Sequence, residues 1–257
     1  INFMSNLIVS IIMPYYKKDE YIYETVDSIL KQTFQSFEII IVDDERTTES
    51  AKIMKKLKDK DRRITIIKNE HNLGAGPSRN KAVGVSKGDY LAFCDCDDIW
   101  QKTKLETQLN FMNDLKVDFS HTSYDIINKK GEVIGSRNAD KEIRFIDLVK
   151  SCDIGLSTVI MKKNLFNQIE LNFPNLKTKE DYVLWLKLSQ KGVRMLGLDK
   201  KLTYWRKLNN SLSSSSFQKI IDGYRVYRTY MKYGLVKSLI SLFVLSINFL
   251  KKKNKMI

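Results

Sequence analysis

Residues 95–98 read Asp-Cys-Asp-Asp, three carboxylates within four positions. They follow a short apolar run, Tyr90-Leu91-Ala92-Phe93, whose length and composition predict a buried strand. Side chains two apart on extended backbone point the same way, so Asp95 and Asp97 share a side. Carboxylates this close repel one another unless something positive stands between them. A hard divalent cation meets that need: Mg²⁺ or Mn²⁺ takes one or two carboxylates and completes its shell with substrate phosphates. The implied chemistry is a metal–diphosphate site at the carboxyl end of a strand. The plainer alternative is an acidic turn that caps a helix starting near Gln101.

Such a site needs elements that bring further polar groups to the same edge. Leu7 to Met13 is a β-rich run ended by Pro14, which predicts a buried first strand. Asp19 is placed to cap a helix whose apolar positions are Ile22, Val26, Ile29 and Leu30. Phe37 to Val42 is a second apolar run, closed by Asp43-Asp44. A charged helix over 48–58, a strand over 64–67, a Gly-rich loop and a helix over 74–86 then lead into the acidic strand. This β-α alternation predicts an α/β fold, a Rossmann-like, mostly parallel sheet flanked by helices. Ligands of such sheets bind outside the carboxyl ends of the strands. Pro14-Tyr15-Tyr16, Asp43-Asp44 and Asp95-Cys96-Asp97-Asp98 all fall there.

The second half is less regular. It predicts helices over 104–112 and 145–149, and strands over 118–127, 156–161 and 202–205. A helix over 181–188 carries Leu184, Trp185 and Leu188 on one face and closes at Gly192.

The 257 residues suffice for one large domain with an appendage, and 43% apolar content with three prolines excludes disorder. Three cysteines, Cys94, Cys96 and Cys152, without a second Cys-x-Cys pair argue against a disulfide scaffold or a zinc site. A reducing cytoplasmic setting is the default, and the amino end shows no secretory pattern. The net charge of +14 is uneven: residues 201–257 hold 12 Lys/Arg and a single acid, Asp222. A basic tail calls for a polyanion, either nucleic acid or an anionic membrane.

Taken together, several segments resemble the family 2 glycosyltransferases, which have the GT-A fold. They are Val9–Tyr16, Ile39–Asp44, Asn72–Asn80, Asp95–Trp100, Glu180–Leu188, and Tyr204-Trp205-Arg206 through Ser211-Leu212-Ser213. The pattern most resembles that of bacterial enzymes building O-antigen and capsule repeat units. The resemblance implies an inverting, metal-dependent transfer of a hexose from a nucleotide sugar, a UDP-sugar by expectation, to a lipid-linked saccharide. It also implies roles. Asp43 or Asp44 would hold the base, with Pro14 and Tyr16 lining its pocket. Arg79 would contact base or phosphate. Asp95 would face the ribose or donor sugar and join Asp97, the chief ligand of Mn²⁺ or Mg²⁺. Asp181 would be the general base, with Glu180 beside it in the substrate site. Arg206, Ser211 and Ser213 would close over the diphosphate. Two departures stand out: Asp44-Glu45-Arg46-Thr47 replaces the usual Asp-Gly-Ser turn, and Leu208 stands where many members have a histidine. The second implies fewer protein ligands for the metal, with water completing its shell.

Each feature has a plainer reading. Asp43-Asp44 could be a strand-end turn, and Asp181 only a helix N-terminal charge. Trp100, Trp185 and Trp205 read as packing, His71 and His121 as structural or exposed, and Cys96 as backbone only. The expected division is residues 1–216 as the transferase domain and 217–257 as a basic, amphipathic helical tail. The apolar run over 234–250 is shorter than the ~20 residues a spanning helix needs. With lysines on either side it suits a helix lying in an anionic membrane interface, placing the chain on the inner face of the cell membrane. A helix packed on the domain, or a spanning one, are the alternatives. Nucleic acid is not expected, since no recognition module is visible and the apolar run would go unexplained. A nucleotidyltransferase, releasing pyrophosphate, and a non-catalytic nucleotide-sugar-binding module are the competing functions.

Overall fold

The computed structural model describes residues 8–208 and 216–254. Its centre is a parallel set of strands: β1 (Val9–Tyr15), β2 (Phe37–Asp43), β3 (Ile64–Lys68) and β4 (Tyr90–Phe93), in the order β3-β2-β1-β4. The two-residue side-chain period divides their apolar content between the faces. Ile11, Met13, Ile39, Ile41 and Ala92 enter one core, packed by helices α1 (Ile22–Leu30), α2 (Thr48–Lys60) and α4 (Lys104–Asp114). Ile12, Ile40, Val42, Leu91 and Phe93 enter the other, beneath α3 (Ala75–Val85) and α7 (Glu180–Gln190). Strands buried on both faces are why these runs are continuous rather than alternating.

Beyond β4 the sheet turns mixed. It continues through β9 (Ile160–Lys162), β6 (Phe119–Ile127), β10 (Met195–Arg206) and β5 (Ile99–Trp100). Strands β7 (Val133–Arg137) and β8 (Glu142–Ile143) pair with β6 and β10. Short helices α5 (Phe145–Leu148) and α6 (Asn164–Gln168) complete this half. Trp185 of α7 is fully buried and meets Phe93 and Phe119 edge-on, at 6.5 and 5.2 Å between centroids. Emptying such a seat costs about 3–5 kcal/mol.

Three local expectations are corrected. Asp19 does not cap α1; its carboxylate accepts from the Tyr15 hydroxyl at 2.5 Å, and the capping position is Tyr21, with no side-chain cap. Pro14 does not end β1, which runs on to Tyr15. The Ile12 carbonyl faces β4, accepting from Cys94 N, so the donor that Pro14 lacks points the same way, past the last β4 residue. Residues 156–161 are not one strand. Leu156–Thr158 is a 3₁₀ turn, because the Thr158 amide and hydroxyl both donate to the Gly155 carbonyl, at 3.0 and 2.6 Å.

The tail comprises α8 (Ser216–Arg225), a π-helical turn over Val226–Tyr230, and α9 (Leu235–Asn254). Val226, Tyr227, Met231 and Leu245 belong to the same core as α7. Buried Asp222 accepts from the Thr178 amide and hydroxyl, both at 3.0 Å, and the Tyr227 hydroxyl donates to the Val149 carbonyl at 2.7 Å. The outward face is apolar: Phe217, Ile220, Val236, Leu239, Ile240 and Phe243 are all exposed. No described helix is long and apolar enough to cross a membrane.

Candidate active site

The carboxyl ends of β1, β2 and β4 form one rim. Asp43 and Asp44 sit there, 1% and 3% exposed, each with oxygens engaged by the chain. Asp43 accepts from the amides of Glu45 and Arg46 and from the Ser50 hydroxyl, at 3.1, 3.3 and 3.0 Å. Asp44 accepts from Asn69 Nδ2 and from the amides of Leu73 and Gly74, at 2.7, 2.8 and 2.8 Å. Gly74 needs its φ of +87° to make that turn, a conformation other residues resist. A carboxylate offers about four acceptor sites, so each aspartate retains about one for another donor. Pro14 pairs in register with Val42 on the same edge, and Tyr16 beyond it is 40% exposed.

Helix α3 enters this rim closely. A Cβ on Gly76 would lie 2.5 Å from the Pro174 carbonyl, so only glycine allows the approach. One turn later comes Arg79, 3% exposed. Its guanidinium donates to Glu180 Oε1 and Asp95 Oδ1, both at 2.6 Å. Burial opposes its charge, but the two carboxylates hold it firmly protonated. Arg79 thus joins the acidic turn after β4 to the start of α7. Asp181 follows Glu180 there, half-buried, its carboxylate accepting from the Tyr182 amide at 2.7 Å. Burial, and then the Glu180 charge, raise its pKa to about 7 against the pull of Arg79.

The acidic turn itself is tightly built. Lys18 Nζ donates to Asp97 Oδ2 at 2.6 Å. Burial still pushes the Asp97 carboxyl up, with Lys18 pulling it down and Asp95 adding to the rise. Asp98 is fully buried, which raises it well above the usual range. Ser157 bridges the turn: its hydroxyl donates to Asp98 Oδ2 and accepts from the Asp95 amide. The Arg206 amide donates to Asp98 Oδ1 and its Nε to the Asp97 carbonyl, both at 2.9 Å, while Nη2 reaches Glu24 at 2.6 Å. Arg206 therefore clamps the turn from the end of β10.

Asp95, Arg79, Glu180 and Asp181 are thus gathered at one place, with Asp97 and Arg206 adjoining through the same turn. Ser211 and Ser213 lie outside the described residues. Lys18, Glu24 and Ser157 are participants that spacing alone did not single out; their partners lie 79, 182 and 59 residues away in the chain. Trp100 and Trp185 are buried, the indole of Trp100 donating to the Ser157 carbonyl at 2.9 Å, while His71 is exposed. His121 is buried, which lowers its pKa to about 4 and keeps it neutral.

The donor set suits a hard cation. Asp95 Oδ2 and Asp97 Oδ1 stand outside the two ion pairs, and carboxylate oxygens are the ligands Mg²⁺ and Mn²⁺ take. Among the described residues no three or more His, Cys, Asp or Glu side chains form a ligand cluster, so phosphates and water would supply the remainder.

Comparison with known proteins agrees with this geometry. The glycosyl transferase family 2 profile matches residues 10–169. The chain is 39% identical over 214 residues to the Escherichia coli UDP-Glc:α-D-GlcNAc-diphosphoundecaprenol β-1,3-glucosyltransferase WfaP, covering 83% of each protein. It is 34% identical over 218 residues to WfgD, an E. coli enzyme of the same described activity, covering 84% of each. Among solved structures, S. aureus TarS 1-349 in complex with UDP-GlcNAc superposes with a TM-score of 0.73 at 27% identity. That match covers 87% of this chain and 65% of the TarS chain. With its parallel core, its flanking helices and its acidic rim, the chain belongs to the family 2 glycosyltransferases and has their GT-A fold.

Proposed function

We propose that this glycosyltransferase is inverting and metal-dependent, and moves a hexose from a UDP-sugar to a saccharide linked through diphosphate to a lipid. WfaP and WfgD are described as taking UDP-Glc and a diphosphoundecaprenol-linked acceptor, and TarS binds UDP-GlcNAc, which supports both substrate classes. The observation that carries the reading is Asp181. Its carboxyl is held near neutrality, one residue from the Arg79–Glu180 ion pair that also grips Asp95.

In this reading Asp181 takes the proton of the acceptor hydroxyl as that oxygen attacks the anomeric carbon. The nucleoside diphosphate leaves from the opposite face, so the centre inverts and no covalent protein intermediate forms. Asp95 and Asp97 would hold Mn²⁺ or Mg²⁺, which when bound supplies Lewis-acid stabilisation of the charge on the departing phosphates. Arg79 keeps Asp95 aimed, and Arg206 holds the Asp97 turn on the diphosphate side, with Ser211 and Ser213 following it in the chain. The remaining acceptor site of Asp43 or Asp44 takes a base N–H, beside Pro14 and Tyr16.

The outward face of α8 and α9 fits an anionic membrane surface. Val236 and Phe243 are 70% and 66% exposed, and Lys219, Lys237 and Lys251 lie on the same helices. In this reading the protein sits peripherally on the cytoplasmic face, where a lipid-linked acceptor would be met. The test is a panel of nucleotide sugars with Mn²⁺ and a synthetic lipid-diphosphate saccharide. Acceptor-dependent release of free UDP is expected. Release of pyrophosphate, or turnover indifferent to metal, would reject the reading.

A further inference from the structure

Among the described residues three cations touch the acidic turn after β4, and they are held very differently. Arg79 is almost wholly buried and locked between Asp95 and Glu180. Arg206 is equally buried and spends every guanidinium nitrogen on the chain. Its Nε donates to the Asp97 carbonyl, its Nη1 to the Asn128 and Lys129 carbonyls at 3.4 and 3.2 Å, and its Nη2 to Glu24. The Tyr21 ring covers its plane at 4.7 Å. Neither arginine can turn to a ligand without leaving buried partners unpaired. Lys18 is the exception. Its side chain is 20% exposed, and among the described residues Asp97 is the one carboxylate within ion-pair distance of its ammonium, at 2.6 Å.

The backbone beneath that side chain is pinned. The Lys18 carbonyl accepts from the amides of Tyr21 and Ile22, at 3.0 and 3.1 Å. The Lys17 amide donates to Glu45 Oε2 at 2.9 Å, with Lys17 in the left-handed region at φ of 51°. A four-carbon arm on a fixed backbone, with one ion pair at its tip, can swing its charge while the loop stays in place. Its present partner is the carboxylate proposed above as the chief metal ligand. An ammonium and a divalent cation on one carboxylate repel each other, and an anion that accepts from both relieves the conflict. The phosphates of a nucleotide sugar are such an anion.

We propose that Lys18 is the movable counter-ion of this site: it competes with the divalent cation for Asp97 and turns to the donor's diphosphate when metal and nucleotide bind together. The proposal rests on the metal-dependent use of a UDP-sugar proposed above. It makes metal and nucleotide binding mutually dependent through one side chain. The metal alone meets an ammonium already seated on Asp97, and the diphosphate is what draws that ammonium off.

Calorimetry on the full chain tests this without turnover, with Mn²⁺ alone and with UDP at saturating Mn²⁺. Lys18→Gln should bind Mn²⁺ alone on the order of tenfold more tightly, because the competing charge is gone. The same variant should bind UDP in Mn²⁺ on the order of tenfold more weakly. Lys18→Arg, which keeps the charge, should stay closer to the parent than Lys18→Gln in both constants. In an Asp97→Asn background, Lys18→Gln should no longer tighten Mn²⁺ binding. Uridine, which lacks the phosphates, should bind parent and Lys18→Gln alike; an equal loss for uridine and UDP would make the role structural and overturn the proposal. Unchanged or weaker Mn²⁺ binding by Lys18→Gln would make the ion pair a fixed part of the fold, and unchanged UDP binding would remove the diphosphate contact; either result overturns it. A parent chain that binds UDP but never Mn²⁺ would reject the metal dependence itself, and this proposal with it.

Discussion

Replacing Asp181 by Asn removes the proposed base while keeping shape and the amide contact from Tyr182. General-base catalysis is worth about 10²–10⁴ in rate, so kcat should fall by roughly a thousandfold with the donor Kd unchanged. The pH profile gives a sharper check. Burial and the Glu180 charge hold the carboxyl near 7, and only its ionised form accepts a proton. The kcat/KM of the parent enzyme should therefore fall tenfold per unit below about pH 7 and level off above it. Glu180→Gln keeps an oxygen for Arg79 but removes the neighbouring negative charge. Coulomb repulsion across one residue, screened by Arg79, is worth about one pH unit, so the acid limb should move down by about that much. UDP release over a range of acceptor concentrations, measured from pH 5 to 9 in parent and both variants, gives both kcat and kcat/KM and tests this directly. An Asp181→Asn enzyme with a tenth or more of parental turnover, or a Glu180→Gln limb that moves upward, would refute the assignment.

Asp97→Asn should cost on the order of a hundredfold in Mn²⁺-dependent activity and remove the metal's enhancement of UDP binding by calorimetry; an unchanged metal titration would contradict the proposed ligand role. Ser157→Ala leaves the Asp95 amide and the Asp98 carboxyl without their shared partner, so stability should fall by about 1–3 kcal/mol, read as a lower urea midpoint. Lys104 is fully buried, which lowers its pKa from 10.5 to about 7, so between those values the unfolded chain binds more protons and its contribution to stability rises with pH. The parent should gain on the order of a few kcal/mol from pH 7 to 9.5 relative to Lys104→Met; equal slopes in the two proteins would count against it. Phe243→Glu should weaken sedimentation with anionic vesicles by about tenfold and leave turnover of a soluble acceptor intact.

The parallel half of the sheet was legible because its strands are buried on both faces and read as unbroken apolar runs. The carboxylates closing those runs were legible for the same reason, since a doubly covered strand can release polar groups only at its end. Strands β7 and β8 carry no such signal: Val133 and Ile134 are exposed, and Glu142–Ile143 is too short to show a period. The 156–158 turn was misread because Ser157 and Thr158 suit a strand but spend their hydroxyls on Asp98 and Gly155 instead. Lys18 was invisible because its value lies in an ion pair across 79 residues. The tail was read from composition, which showed an apolar run between lysines; its inward face, built from Asp222, Tyr227 and Leu245, depends on partners far away in the chain.

That inward face limits how the proposed membrane contact could be removed. Cutting the chain before residue 216 would strip Asp222 from Thr178 and Tyr227 from Val149, undoing the footing of the helix that bears the proposed base. Recolouring only the outer stripe, by polar residues at Phe217, Val236 and Phe243, would leave that footing in place. The proposed hold on a bilayer and the footing of the proposed base would then become separately adjustable through the two faces of a single pair of helices.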